Sequence, residues 1–521
     1  MSLKAIVTNR AALDVKYGPE GVAQILAAVD AMAQKDAARG VETRLLALDS
    51  PADMESVGGE AVVDTQDSRQ TKNAVDAVWS HLTPDYLLLL GSPDVIPHQD
   101  LENPLYSPGR DDDELAPSDL PYACDAPYSV RVQDFTGPTR VVGRLPDRNG
   151  SNEPAHFVER ILTAANHRQS PAATYLDYFA VCAREWQLVT TQSLENTFGS
   201  ARNLRTSPEE GPVWPPDELA RLSHYINCHG DTHDWHFYGN RPAFPVAHDA
   251  ALAAESLREG TVVAAECCYG AELYAPGDGA GARPGIWDAY LTNKAYGFFG
   301  SSCLAYGPAI GVAGASQICR SFFFYIVEGA SLGRAVLQAR QDLIAAAPIL
   351  DPIDLKTLAQ FHLLGDPSIH PVDAGRADEA VPAVRAGPLR LRPLDAARRA
   401  AAGRSFRRQN LERMGAALAA VTSVAARTAA KKPPPRVREL LAQAARAARV
   451  TEPRFLTFRV DRPRAAGAMR TARRRSRAEP PRQVHVAIGV RGGKRSRRRQ
   501  LVAVVALPDR DGVIVRRMFS R

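Results

Sequence analysis

The sequence predicts an α/β protein: a mostly parallel sheet covered by helices on both faces, in two such subdomains, followed by a basic region of different character. Three observations predict it. Short continuous apolar runs, such as "PDYLLLLG" at 84–91, have the composition of strands buried on both faces. These runs alternate with helical patterns, which implies crossover connections and a parallel sheet. Beyond residue 380 the alternation stops and the chain becomes rich in Ala and Arg.

In order, a helix over 20–38 ends at Gly40 and is followed by the strand "VETRLLALD". A second helix, "DSRQTKNAVDAVWSHL", leads into "PDYLLLLG". A long Pro- and Asp-rich loop, 93–128, contains "RDDDE". The strand "TRVVGRLP" and a helix from Glu153, capped by Ser151 or Asn152, come next. Then "YLDYFAVCA", "LSHYIN", "TVVAAE" and "AYGFFG" follow as short apolar strands, and amphipathic helices lie near 313–329 and 331–347. The two α/β units divide near 150, giving an N-terminal subdomain over 1–150 and a second over 151–375. In 376–480, helices are expected at 395–429 and 435–449, and "RTARRRSRAEPP" reads as disordered. The last segment, 481–521, offers three strands, "QVHVAIGVR", "QLVAVVALP" and "GVIVRRMF", with "RDG" as a hairpin signal.

A chain of 521 residues exceeds what one core organises, and its 45% hydrophobic and 7% aromatic content fits globular domains. The N-terminal stretch lacks the apolar h-region of a secretory signal. No run of roughly 18 apolar residues occurs, so no membrane span is expected. Seven cysteines, an odd and sparse number, fit reduced thiols in a cytoplasmic protein. The net charge of +6 conceals an asymmetry. Residues 381–521 carry 36 Lys and Arg against 8 Asp and Glu, a net +28, whereas 1–380 carry 28 against 50, a net −22. Either the basic region docks on the acidic body, or it binds a nucleic acid or another anionic partner.

The chemistry concentrates in two stretches. "YINCHGDTHDWH" (225–236) is a strand running into Cys228, His229 and Gly230, and "GTVVAAECCYGAELY" (260–274) is a strand running into Glu266, Cys267, Cys268 and Gly270. Carboxyl ends of parallel strands line the functional crevice of an α/β sheet, so His229 and a cysteine are expected side by side. An adjacent imidazole raises the thiolate fraction of a thiol. Gly230 lets its backbone N–H serve as an oxyanion donor. Competing readings are a histidine that merely closes a strand end and a pair of small buried cysteines. A third is a metal site, because His229 and His233 are four apart with His236, Asp231 and Asp234 near; the Gly, Asp and Thr between them favour a loop, and neither a metal nor another cofactor is expected.

The ordered set "PDYLLLLGSPDVIP", "PSDLPYAC", "VVGRLPD", "NCHGD", "ECCYG", "AYGFFGSSCLAYGP", "GASLGRAVLQAR" and "FHLLGDPSIHPV" resembles the recurring blocks of clan CD (caspase-like) cysteine peptidases, and most of all the gingipain-type family. The resemblance covers roughly 80–372 and implies a caspase/gingipain-like fold in which 151–375 is the catalytic subdomain. It implies a cysteine endopeptidase acting on protein or peptide substrates. Caspase and metacaspase patterns make Cys268 the nucleophile, whereas gingipain spacing selects Cys267. By the same resemblance Glu266 selects Arg or Lys at the substrate P1 position, with Asp231 and Asp278 as further acids, and Ser301 and Ser302 belong to a wall of the substrate pocket. An inactive caspase-like scaffold whose tail binds a partner is the alternative. The basic 381–521 region is expected to dock on the body and regulate it, with self-cleavage near Arg473–Arg477 as a release step.

Overall fold

A computed structural model describes residues 2–240, 242–275, 283–347, 350–373, 426–429, 432–460, 483–491, 500–509 and 512–520. One sheet contains ten strands: β1 (Ser2–Thr8), β2 (Val41–Ala47), β3 (Tyr86–Leu90), β4 (Val142–Leu145), β5 (Tyr178–Ala183), β6 (Leu204–Ser207), β7 (Ser223–Asn227), β8 (Val262–Ala265), β9 (Gly297–Ser301) and β10 (Phe361–Leu364). Across the sheet the order is β2-β1-β3-β4-β10-β9-β8-β7-β5-β6. Each neighbouring pair is parallel except β9 with β10. The sheet therefore consists of two parallel blocks of five strands that run in opposite directions and meet at the β9–β10 seam.

The apolar runs are continuous because both faces are covered. In the second block Tyr178, Ala180, Tyr225, Ala264 and Phe299 enter one core, and Phe179, Val181, Ile226, Val263, Ala265 and Phe298 enter the other. Leu87 to Leu90 of β3 are all fully buried, and each such side chain contributes about 1.5–3 kcal/mol relative to an exposed one. The covering helices are α1 (Arg10–Ala38), α2 (Ser68–Leu82), α3 (Ala155–Ala165), α4 (Gln187–Phe198), α5 (Ile286–Thr292), α6 (Ala315–Val327), α7 (Leu332–Ala346) and α8 (Pro352–Gln360). Among the described residues no helix is long and apolar enough to cross a membrane.

Several boundaries differ from the sequence reading. The first helical segment begins at Arg10, and Gly18 (φ 65°) breaks it just before Pro19. The residue before a proline avoids helical backbone, so the 20–38 pattern is only the second half of α1. Helix α3 starts at Ala155, with Pro154 at the N-cap and no side-chain cap; Ser151 Oγ accepts from Glu153 N instead. The sequence pattern also missed β1, which is paired on both sides, and β6, which is an edge strand.

The basic region builds a second sheet. Its strands are β11 (Ala426–Ala429), β12 (Val450–Val460), β13 (Gln483–Arg491), β14 (Gln500–Asp509) and β15 (Gly512–Ser520). The three expected terminal strands are present, and β14 turns into β15 with Asp509 opposite Gly512. The expected helix at 395–429 is wrong at its end, where 426–429 is a strand; 395–425 lie outside the described residues. So do "RTARRRSRAEPP" and Asp278. Helix α9 (Pro435–Ala447) covers one face of this sheet through Leu441, Ala444 and Ala445. The other face packs Phe458, Val484, Val486, Ala503, Val505 and Met518 onto Leu105, Tyr306 and Ile353 of the body. The last strand, β15, pairs antiparallel with Tyr306–Gly307. Arg516 reaches Asp351 at 2.8 Å and Asp354 at 3.2 Å. Part of the basic region is thus docked on the acidic body.

The acidic loop is held by one buried cation. Lys356 of α8, fully buried, lies 2.8 Å from Asp111 and 3.1 Å from Asp113. Burial alone would lower its pKa, but the surrounding anionic groups, Asp111 foremost, raise it and keep the ammonium charged. Lys356→Met is expected to cost about 3–5 kcal/mol, because two carboxylates lose their counter-charge. The check is a chemical denaturation midpoint at unchanged slope. Lys356→Met with Asp111→Asn should recover part of that loss, since the two positions share one interaction.

Candidate active site

Strands β7 and β8 are parallel neighbours, with Ile226 opposite Ala265. Their continuations therefore leave the sheet side by side at the same edge. Cys228 N donates to Cys267 Sγ at 3.4 Å. A Cβ placed on Gly230 would lie 1.9 Å from the carbonyl oxygen of Cys268. Glycine is required at 230 because the backbone of the cysteine turn occupies the space of a side chain. The His-Gly and Cys-Cys motifs, 39 residues apart in sequence, are in direct contact. No hydrogen bond joins the Gly230 N–H to another described residue.

The two cysteines point to opposite sides. Cys267 is fully buried in the core that contains Ile226, Cys228 and Ala265. Cys268, 2% exposed, belongs to the core that contains Tyr225 and Ala264. Its Sγ lies 3.2 Å from Ala305 N and 3.5 Å from Ala305 O. His229 continues the alternation of Tyr225 and Asn227, and Asn227 bonds Thr190 of α4. Its ring packs against Trp186, which immediately precedes α4, and against Phe244. His229 and Cys268 thus share a face of the sheet, and Cys267 is on the other. No disulfide joins any of the seven cysteines, and all are buried.

The sequence reading missed Glu185. Its Oε1 lies 2.8 Å from His229 Nε2. It sits two residues past the carboxyl end of β5, the parallel neighbour of β7. An acid directly after an apolar strand, as in "FAVCAREW", was the available signal.

Acids surround the two motif loops. Glu272 cross-links them: Thr232 Oγ1 donates to it at 2.9 Å and His233 N at 2.7 Å. Burial, with Asp113 and Asp231 nearby, pushes the Glu272 carboxyl up to about 7. Asp113 accepts from Tyr269 Oη at 2.7 Å and from Leu304 N at 2.9 Å. It belongs to the "RDDDE" loop and is a second residue the sequence reading did not single out. Asp231 accepts from Thr232 N. Glu266 faces the helix layer, where Tyr225 Oη (2.6 Å) and Ser316 Oγ (2.8 Å) donate to it. Ser301 Oγ lies within hydrogen-bond distance of Cys267 O (2.8 Å) and Cys303 O (2.9 Å), and Ser302 Oγ donates to Pro117 O, so both hydroxyls tie the end of β9 to backbone.

The histidines of 229–236 do not converge. His236 sits between Asp234 (2.7 Å) and Asp249 (2.9 Å), and the hydrogen bond to Asp234 raises its pKa. His233 adjoins Glu272 at 3.7 Å. Among the described residues, the one converging group of His, Cys, Asp or Glu is His98, Asp119 and His362, and it touches the cysteine loop through His362 Nε2 and Ala271 O at 2.9 Å. Asp119 is already held there by Arg144 through both oxygens, at 2.6 and 2.9 Å, and that guanidinium disfavours a second cation.

Compared with known proteins, the chain matches no family model and no curated protein. The site is therefore characterised by its geometry. Gly230→Ala tests that geometry most directly. The added methyl must displace the Cys268 backbone, so a stability loss of about 1–3 kcal/mol is expected from overpacking. A melt should show it, and Ala at the exposed Glu255 should leave the midpoint nearly unchanged.

Proposed function

We propose that the protein is a cysteine endopeptidase with Cys268 as nucleophile and His229 as proton shuttle, of caspase/gingipain-like type. The observation that carries this reading is the close approach of Gly230, the residue after His229, to the Cys268 backbone at the carboxyl ends of adjacent parallel strands. The Cys268 thiolate attacks the peptide carbonyl carbon, and His229 takes the thiol proton and returns it to the leaving amine. Water then hydrolyses the thioester. Glu185, bonded to Nε2, orients the imidazole and assigns proton transfer to Nδ1. The N–H groups of Gly230 and Cys268 hold the oxyanion. The mostly parallel sheet is compatible with this family.

The reading includes a preference for Arg or Lys at P1. Glu266, the acid expected from the resemblance, bonds inward to Tyr225 and Ser316. We therefore assign recognition of the cation to Asp231 and Glu272, in the loops beside Cys268. One observation favours a second reading, an inactive scaffold that binds an anionic partner: Cys268 is only 2% exposed.

Two experiments test these assignments. Cys268→Ala and His229→Ala should each abolish cleavage of an Arg-P1 peptide and labelling by an acyloxymethyl ketone, whereas Cys267→Ala keeps measurable turnover. Loss in Cys267→Ala alone would reassign the nucleophile, and an unlabelled wild-type thiol would favour the scaffold. The second measures the ratio of kcat/KM for cationic over neutral P1 substrates. Glu272 is mostly protonated below pH 7 and ionised above, so the ratio should rise through about pH 7. In Glu272→Gln the ratio should be flat and roughly tenfold lower at pH 8, the loss of one charge-assisted contact. An unchanged ratio would remove Glu272 from the pocket.

A further inference from the structure

The strand that closes the chain lies beside the thiol. β15 pairs antiparallel with the short segment Tyr306–Gly307, Ser520 opposite Tyr306 and Phe519 opposite Gly307. Ala305, the residue before that segment, donates its N–H to Cys268 Sγ at 3.2 Å. The antiparallel register carries β15 toward Ala305 as it runs to its end. An extended peptide binds most simply by adding a strand to an open sheet edge. Its scissile carbonyl must also come within about 3–3.5 Å of the sulfur. The segment 306–307, which follows Ala305 directly, is extended backbone, and its edge is already paired with β15.

We propose that β15 is an intramolecular plug: it occupies the edge on which an extended peptide would lie, and Cys268 becomes accessible when β15 is displaced. This deepens the peptidase reading and rests on it for the identity of the displaced ligand. Three further observations make the plug a built contact. Met518 packs with Tyr306 and Leu105 in one core, and its Cε lies 3.0 Å from the Cβ position of Gly314. Arg516 makes ion pairs with Asp351 (2.8 Å) and Asp354 (3.2 Å), two acids of the body flanking the start of α8. Arg110 Nη2 also donates to Glu452 O at 2.5 Å, so the acidic loop and the basic sheet hold each other. The thiol under this assembly is 2% exposed, as a plugged nucleophile would be.

The test uses the full-length chain in two forms: Arg516→Glu, which sets a carboxylate against Asp351 and Asp354, and removal of the last three residues, which deletes both pairing partners. Arg517→Glu, at an exposed position of the same strand, is the control. Two rates are measured: alkylation of Cys268 by iodoacetamide, located by peptide mass spectrometry, and turnover of a small Arg-P1 fluorogenic peptide. Both altered proteins should be alkylated at Cys268 at least tenfold faster than wild type, the change that weakening the contact by about 1.4 kcal/mol produces. The control should not differ. Alkylation at the wild-type rate or slower, in proteins that keep the wild-type circular dichroism and melt, overturns the plug. Measurable turnover that is equal in all forms overturns it as well. Faster alkylation with no turnover in any form keeps the plug and removes the peptidase reading.

Discussion

Lys356 is the constraint on which the site's architecture rests. A fully buried ammonium is costly, and here it is surrounded by two carboxylates from a loop more than 240 positions earlier in the chain. Each carboxylate does a second job. Asp113 fixes the Tyr269 hydroxyl, and so the turn just after Cys268, and it also fixes Leu304 N. Asp111 accepts from the Tyr306 hydroxyl. One cation thus holds the turn that presents the thiol and the segment beside it. The same helix receives Arg516 at its first turn, through Asp351 and Asp354, so the basic sheet depends on this helix too. Low local dielectric makes such a network strong when complete and costly when one member is missing.

The reversal of strand direction at the β9–β10 seam has a geometric consequence. The carboxyl ends of the first block open on the edge opposite to those of the second. The chemistry gathers at the second edge, where β5, β7 and β8 end in Glu185, His229 and Cys268. Three neighbouring strands each deliver one polar group just past their ends, and the sheet supplies the spacing. A similar economy ties β1 to the turn after β10 within the first block. Lys4 of β1 lies between Asp36 and Asp366, and Asp366 also caps its own turn by accepting from Ser368 N.

Much of this was legible because burial writes itself into composition. Strands covered on both faces must be apolar throughout, so β3, β5, β7, β8 and β9 stand out as short runs, and the terminal hairpin stands out through "RDG". What escaped had weaker local signals. β12 contains Glu452, Pro453 and two arginines, and reads as a loop until its partners are known. Glu185 and Asp113 are ordinary acids in sequence. They become site residues only because β5 adjoins β7 and because the 93–128 loop folds back onto the cysteine turn.

The sequence by itself determined the alternating α/β pattern, the charge asymmetry, and the two strand-to-motif junctions, because each follows from residue type over a few neighbouring positions. Tertiary structure alone decided which groups meet. It turned Cys268 to the His229 face and Cys267 away, because side chains alternate past the end of a strand. It turned Glu266 inward to Tyr225 and Ser316, and it brought Asp113 and the last strand of the chain to the thiol. Those outcomes depend on strand order and on long-range pairing of buried charges, and no local stretch of sequence carries either.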